Sequence, residues 1–224
     1  MKLHAGLVLL CCLIFAGNLS GSDNEYEKRL MRLKARFEAI KDYSCIFESY
    51  SNNGEKSASV NFRYFFRKPK SVRMEILKGK YSGTVLLMNN DNNVRVKPGI
   101  FILGLFTFNY PPEHRYVCDY RGNGLHNSDW GYFIDEHIKL LHLTTIVSAG
   151  EETLDGRKVI LYELRSMDPP KSRSVAKEQI WIDKEQDLLI KYRQYDASGA
   201  LIQAGFYKDI KINTGLSRSV FTDF

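Results

Sequence analysis

The chain has 224 residues, of which 26% are charged and 12% aromatic, and carries a net charge of +6 at pH 7. That is enough apolar material for one domain with a substantial core. The basic residues are scattered between strand-like segments rather than run together, which argues against a nucleic-acid footprint and leaves mild attraction to anionic membrane surfaces open.

Residues 1–22 read as an export signal. Lys2 and His4 precede the apolar run Leu7 to Phe15, which is shorter than the roughly 20 apolar residues a membrane span needs. Ser20 and Ser22 suit the small-residue positions of a cleavage site, placing a mature start near Asp23 and a single domain over residues 23–224. Cys11 and Cys12 raise a lipid anchor as an alternative, but Leu10 stands where a lipoprotein signal wants a small residue. The expectation is therefore an exported, periplasmic protein.

Ser22 and Glu25 have capping-box spacing, and Tyr26, Leu30, Leu33, Phe37 and Ile40 recur at intervals of three and four. This predicts an amphipathic helix over about Asp23–Lys41. Strands follow at Tyr43–Ser51, Ser57–Arg67 and Ser71–Lys78, the first two joined by the Asn52-Asn53-Gly54-Glu55 turn. In Val60–Ile76, Val60, Phe62, Tyr64, Phe66, Val72, Met74 and Ile76 share one face, with Arg63, Arg67, Arg73 and Glu75 on the other. Pro69 lacks a donor and marks the turn between the two strands. Further strands are predicted at Tyr81–Asn89 and Val94–Lys97, with the polar turn 89–93 between them.

Ile100–Tyr110 is the most apolar stretch beyond the signal. It reads either as a buried strand, the simpler expectation, or as a mobile apolar flap over a cavity. Residues 119–127 read as loop, and Asp129–Leu141 as a second helix capped by Asn127 or Ser128. Strands then return at Thr144–Ser148, Lys158–Arg165, Glu178–Ile182, Leu188–Tyr195 and Ala200–Ile212, with a hairpin signal at Asp155-Gly156 and a loop at Asp168-Pro169-Pro170. About ten strands and two helices joined by short hairpins make a mainly β, α+β chain with an antiparallel sheet. Such a sheet curls into a sandwich or barrel, open or closed.

No catalytic constellation emerges, so the chain reads as a non-enzyme without a cofactor. His137 and His142 sit off a common helix face, and His137 reads as a helix-surface residue. There is no metal-binding spacing, no nucleophile elbow and no phosphate loop. Cys45 and Cys118 either pair in an oxidising compartment or stand as buried thiols. What stands out is an excess of large apolar side chains on sheet faces: Phe62, Tyr64, Phe66, Met74, Leu86, Trp181, Ile190 and Tyr192. Singly they read as core, and together they suggest a lining for acyl chains.

Phe62-Arg63-Tyr64-Phe65-Phe66-Arg67-Lys68-Pro69-Lys70-Ser71-Val72-Arg73-Met74-Glu75 follows the export signal and the first helix. Thr153–Val159, Ile180–Glu185, Leu188–Tyr192, Gly199, Tyr207–Ile210 and the ending Gly215-Leu216 to Thr222-Asp223-Phe224 come later in the same order. Taken together the chain resembles the LolA- and LolB-like lipoprotein-localisation carrier superfamily, nearest to its DUF1571-type branch. The resemblance implies an unclosed antiparallel β-barrel, a half-barrel whose concave side is capped by helices around an apolar cavity. It also implies binding of lipid or lipoprotein acyl chains in transport or outer-membrane biogenesis, with a membrane-associated donor or acceptor protein and no nucleic acid. In such carriers an arginine directly before the proline holds the lid. Here that position is Lys68, with Arg67 one earlier on the opposite strand face. The expected function is a monomeric periplasmic carrier, and the alternative is a periplasmic sensor or assembly module that binds a protein partner through the sheet.

Overall fold

The computed structural model describes residues 19–79, 81–89, 93–100 and 102–224 of the chain, with side chains described from residue 25 onward. The expected export signal and cleavage site fall largely outside these residues.

A first helix, α1 (Leu19–Ala39), leads into strands β1 (Asp42–Asn52), β2 (Ser57–Arg67), β3 (Ser71–Lys78), β4 (Val85–Met88), β5 (Val94–Lys97) and the short β6 (Phe108–Tyr110). After a long loop comes α2 (Trp130–Leu140), and then β7 (Thr144–Leu154), β8 (Arg157–Ser166), β9 (Lys177–Asp183), β10 (Leu188–Tyr195) and β11 (Leu201–Ile212). The eleven strands among the described residues form one antiparallel sheet in the order β6-β5-β4-β3-β2-β1-β11-β10-β9-β8-β7. The chain thus makes two meanders and joins them at the β1–β11 pair, leaving β6 and β7 as edges. The sheet is not closed.

Period-two alternation sorts the side chains into rows that run straight across the first meander. Tyr43 faces Phe66, which faces Val72, which faces Met88 and then Val94. One step along, Cys45, Tyr64, Met74, Leu86 and Val96 form a second row. Phe47, Phe62 and Ile76 begin a third. These rows make the concave face. The Lys68–Pro69 turn that separates β2 from β3 contains a cis peptide bond.

Helix α1 lays Tyr26, Leu30 and Leu33, all essentially buried, on the concave face. Tyr26 meets Tyr162 with ring centroids 5.0 Å apart, and Phe37 meets Phe66 at 5.7 Å. Helix α2 lies beside α1, and Gly131 permits the approach: a Cβ there would stand 2.4 Å from the Phe37 ring. Trp130 stacks on Tyr43 at 4.2 Å and contacts Tyr207 at 5.5 Å. Each large side chain buried this way contributes about 1.5–3 kcal/mol.

The convex side of the first meander is covered by the C-terminal segment. Phe221 is buried there beneath the Arg67 guanidinium, 5.0 Å from its ring. Arg73 donates to the carbonyls of Val220 and Asp223, Asn89 to that of Phe221, and Arg95 to that of Thr222. The charged side of the strands therefore holds a strap of chain by its backbone acceptors.

Several expectations need correction. Ile100–Tyr110 is not a buried strand: a 3-10 turn at Leu103–Leu105 and the edge strand β6 replace it, and Leu105 is 81% exposed. Gly104 and the Pro111-Pro112 stop leave it too little extended backbone to pair more deeply. The fourth strand is confined to Val85–Met88, because Tyr81 to Thr84 are used in the turn from β3. Helix α1 begins at Leu19, so Ser22 lies inside it rather than at its cap. Asp129, not Asn127 or Ser128, caps α2, its carboxylate accepting from the Tyr132 N–H at 3.1 Å. Cys45 and Cys118 are free thiols: Cys45 is buried under the helices, and the Cys118 Sγ–H donates to the Pro112 carbonyl at 3.2 Å.

Candidate functional site

The two helices do not cover the whole concave face. Between sheet, α2 and the loop 111–129 lies a cavity of about 1300 Å³, larger than the roughly 300–1,000 Å³ of ordinary small-molecule pockets. Its wall on the first meander carries an apolar patch of Phe47, Phe62, Met74, Ile76, Leu86 and Val96, edged by Ser49, Ser59 and Thr84. These residues are the continuation of the core rows past the end of the helices. Gly205 shapes the floor, since a Cβ there would fall 2.4 Å from the Tyr192 ring and 2.8 Å from the Phe47 ring.

From the end of β1 onto the second meander the wall changes character. Register places Ser51 opposite Gln203, Gln203 opposite Gln194, and Gln194 opposite Glu178, so a polar row crosses four strands. Gln194 Nε2 donates to Glu178 Oε1 at 2.8 Å, and His137 Nε2 on α2 sits 2.9 Å from Glu178 Oε2. The other His137 nitrogen lies 2.8 Å from the Phe133 carbonyl, and its ring stacks on Phe133 at 4.0 Å. Burial pushes the His137 imidazole pKa down. The adjacent Glu178 carboxylate, its hydrogen bond and the Phe133 carbonyl outweigh that, and the pKa stands above the usual histidine value. His137 is thus no surface residue, as its helical position suggested, but an ion-pairing link between α2 and β9 at the cavity wall.

Of the eight residues picked out as a lining, Phe62, Met74, Leu86 and Tyr192 do line the cavity. Tyr64, Phe66 and Ile190 are each about 1% exposed and packed beneath the helices, which fill the face where those residues stand. Trp181 lies on the convex side: its Nε1 donates to Glu152 at 2.9 Å and Lys191 sits 4.8 Å over its ring. An irregularity between Leu189 and Lys191 brings Lys191 opposite Trp181 on that side.

The two residues expected at a lid latch act in different places. Lys68 Nζ donates to the carbonyls of Phe37 and Glu38, both at 2.8 Å, and lies 4.8 Å over the Phe37 ring. It caps carbonyls at the end of α1, where Phe37 also accepts from the Ile40 N–H and a cation is favoured by the helix dipole. Arg67 is on the convex side, held to the C-terminal strap. The residue that secures α2 is Lys70, whose ammonium pairs with the buried Asp129 carboxylate, the cap of that helix. One turn therefore ties both helices to the sheet. Sequence reasoning missed Lys70, Asp129, His137 and Glu178, since each has its partner far away in the chain.

The mouth of the cavity is bordered by the stretch after β5. Ile100, Leu103 and Phe108 reach the cavity, while Ile102, Leu105 and Phe106 are 70%, 81% and 58% exposed. Among the described residues no group of metal-ligating side chains gathers, and no helix is long and apolar enough to cross a membrane.

Residues 134–223 match the family described as "Protein of unknown function (DUF1571)". No curated protein matches the chain in sequence. An uncharacterised conserved protein of Thermus thermophilus has a similar structure, with TM-score 0.55 and 12% identity over 89% of this chain and 94% of that one. The lipoprotein LppX of Mycobacterium tuberculosis has TM-score 0.50 and 14% identity over 85% and 98% of the two chains. A LolA superfamily protein, NE2245 of Nitrosomonas europaea, is a looser likeness, with TM-score 0.38 and 11% identity over 87% and 97%. Residues 134–223 are thus similar in sequence to the DUF1571 family, and the unclosed, helix-capped antiparallel sheet shares its fold with the Thermus thermophilus protein and LppX.

Proposed function

We propose that the protein is a non-enzymatic, periplasmic binder of lipid or lipoprotein acyl chains, exported through residues 1–22 and acting as one domain over residues 23–224. The observation that carries this reading is the cavity of about 1300 Å³ whose first-meander wall presents the apolar patch Phe47, Phe62, Met74, Ile76, Leu86 and Val96. Side chains of that size normally bury one another, and here they surround space. An acyl chain gains about 0.8 kcal/mol per methylene on entering such a site without any directional contact. The exposed apolar stretch 102–106 at the mouth offers a path that keeps the chain out of water. Phe62, Met74, Leu86 and Tyr192 form the binding wall, and Lys68 and Lys70 hold the helical cover.

The test is extraction and mass spectrometry of protein purified from its own host, together with titration by a fluorescent fatty acid. Bound acyl lipid and saturable binding are expected, and Phe62→Glu is expected to abolish both while the protein stays folded. A lipid-free protein that binds no fatty acid would remove the proposal.

A further inference from the structure

Two arginines stand side by side at the polar end of the cavity, on loops far apart in sequence. Arg121 lies in the loop before α2 and Arg173 in the loop between β8 and β9, and both line the cavity. Each clasps the other's backbone: Arg121 Nη2 donates to the Arg173 carbonyl at 2.6 Å, and Arg173 Nη2 to the Arg121 carbonyl at 3.1 Å. Arg173 Nη2 also donates to Asn123 Oδ1 at 2.8 Å. All of these acceptors are neutral. Among the described residues neither guanidinium forms a salt bridge, and Arg121 Nε is buried without a hydrogen-bond partner.

The nearest carboxylate is already occupied. Asp119 accepts from the backbone N–H groups of Arg121 and Asn123 and from the side-chain amides of Asn123 and Gln203. Glu178, further along the same wall, is taken by His137 and Gln194. Burial first, and the Arg173 charge second, push the Arg121 pKa down despite Asp119 and Asp196. Holding two cations together costs free energy, which a shared anion returns. Arg173 is moreover kept at a left-handed φ of 56°, a conformation uncommon outside glycine and costing about 1 kcal/mol or more. Each guanidinium has five donors in a planar fork that matches a phosphate or carboxylate oxygen pair, and here at least three donors per arginine are left over.

We propose that Arg121 and Arg173 together form a phosphate-binding site at the polar end of the cavity, so that the bound amphiphile is a phosphate-headed lipid with its chain against Phe62, Met74 and Leu86. The lipid part of this assignment rests on the acyl-binding reading above, and the phosphate site does not. The headgroup would sit between the arginines and the polar row formed by Gln203 and Gln194.

The test compares three probes on the full chain: a fluorescent monoacylglycerol phosphate, the matching neutral monoacylglycerol, and inorganic phosphate. The phosphate-headed probe is expected to bind at least about tenfold more tightly than the neutral one, with an advantage that falls as salt rises. Arg121→Gln with Arg173→Gln should erase that advantage and leave the neutral probe's affinity unchanged. If the double variant melts early, Arg173→Gln alone, at an exposed side chain, should still cut the preference severalfold. Equal binding of both amphiphiles by the unaltered protein overturns the site and leaves the acyl cavity standing. Binding of inorganic phosphate without either amphiphile keeps the arginine site and removes the lipid. Binding of none of the three overturns both.

Discussion

The two ends of the β2 concave face carry the same kind of side chain and meet different fates. Tyr64 and Phe66 are packed to about 1% exposure under α1 and α2, while Phe62 and Val60, on the same face and the same strand, look into the cavity. The alternation does not distinguish them. What does is the reach of the helices: α1 ends at Ala39 and is tied at that end by Lys68, and α2 is anchored over Tyr43 through Trp130. Beyond that anchorage no described element fills the face. One stretch of strand is thus core at one end and cavity wall at the other, and substitutions should separate the two.

The largest effect is expected where the packed end is densest. Trp130→Ala removes the ring stacked on Tyr43 and should cost about 3–5 kcal/mol, read as the shift of the urea midpoint at unchanged slope. A cost below about 1 kcal/mol would mean that α2 does not hold this end closed. Asp129→Ala removes both the cap of α2 and the partner of Lys70, and should cost about 1–2 kcal/mol, with faster amide exchange along α2. Unchanged exchange there would show that the Lys68–Lys70 turn does not secure the second helix.

The His137–Glu178 pair makes the boundary between the two ends sensitive to pH. Its histidine pKa is raised in the folded protein, so its contribution to stability is fully present below the unfolded histidine value of about 6.5 and is lost as pH rises through the folded one. His137→Gln should therefore destabilise at pH 5.5 and approach the unaltered protein at pH 9, as measured by chemical unfolding at both pH values. The opposite trend would mean that burial, not Glu178, governs the imidazole. At the open end, Phe62→Glu should change stability by less than about 1 kcal/mol while removing acyl-chain binding, since its carboxylate can remain solvated in the cavity. Loss of folding instead would make Phe62 core, like Tyr64. Leu105→Ser, at the exposed stretch by the mouth, should leave the midpoint within about 0.5 kcal/mol. A larger loss would show that this stretch packs on the sheet.

Much of the fold was legible because its signals are local. The bounds Ser57–Arg67, Ser71–Lys78, Val94–Lys97 and Leu188–Tyr195 follow from alternation and turn residues alone, and Asp155-Gly156 marks the β7–β8 hairpin as expected. The candidate site was legible by half. Phe62, Met74 and Leu86 could be found because they share a face with their neighbours, whereas Trp181 falls on the other side of the sheet, against Glu152 and Lys191. Ile100–Tyr110 misled because hydrophobicity alone reads as burial, whereas Ile102, Leu105 and Phe106 stay exposed among the described residues.

The sequence by itself determined two antiparallel meanders, an amphipathic helix to cover them and an apolar concave face, because propensity, period and turn chemistry act within a few residues. Only the tertiary structure decided how far the helices cover that face, and therefore where core ends and cavity begins. It also decided which charges meet: Lys70 with Asp129, His137 with Glu178, and Arg121 beside Arg173. These contacts join residues brought together by the β1–β11 closure and by loops crossing the open side of the sheet, and no local pattern encodes a partner that the chain reaches only by folding.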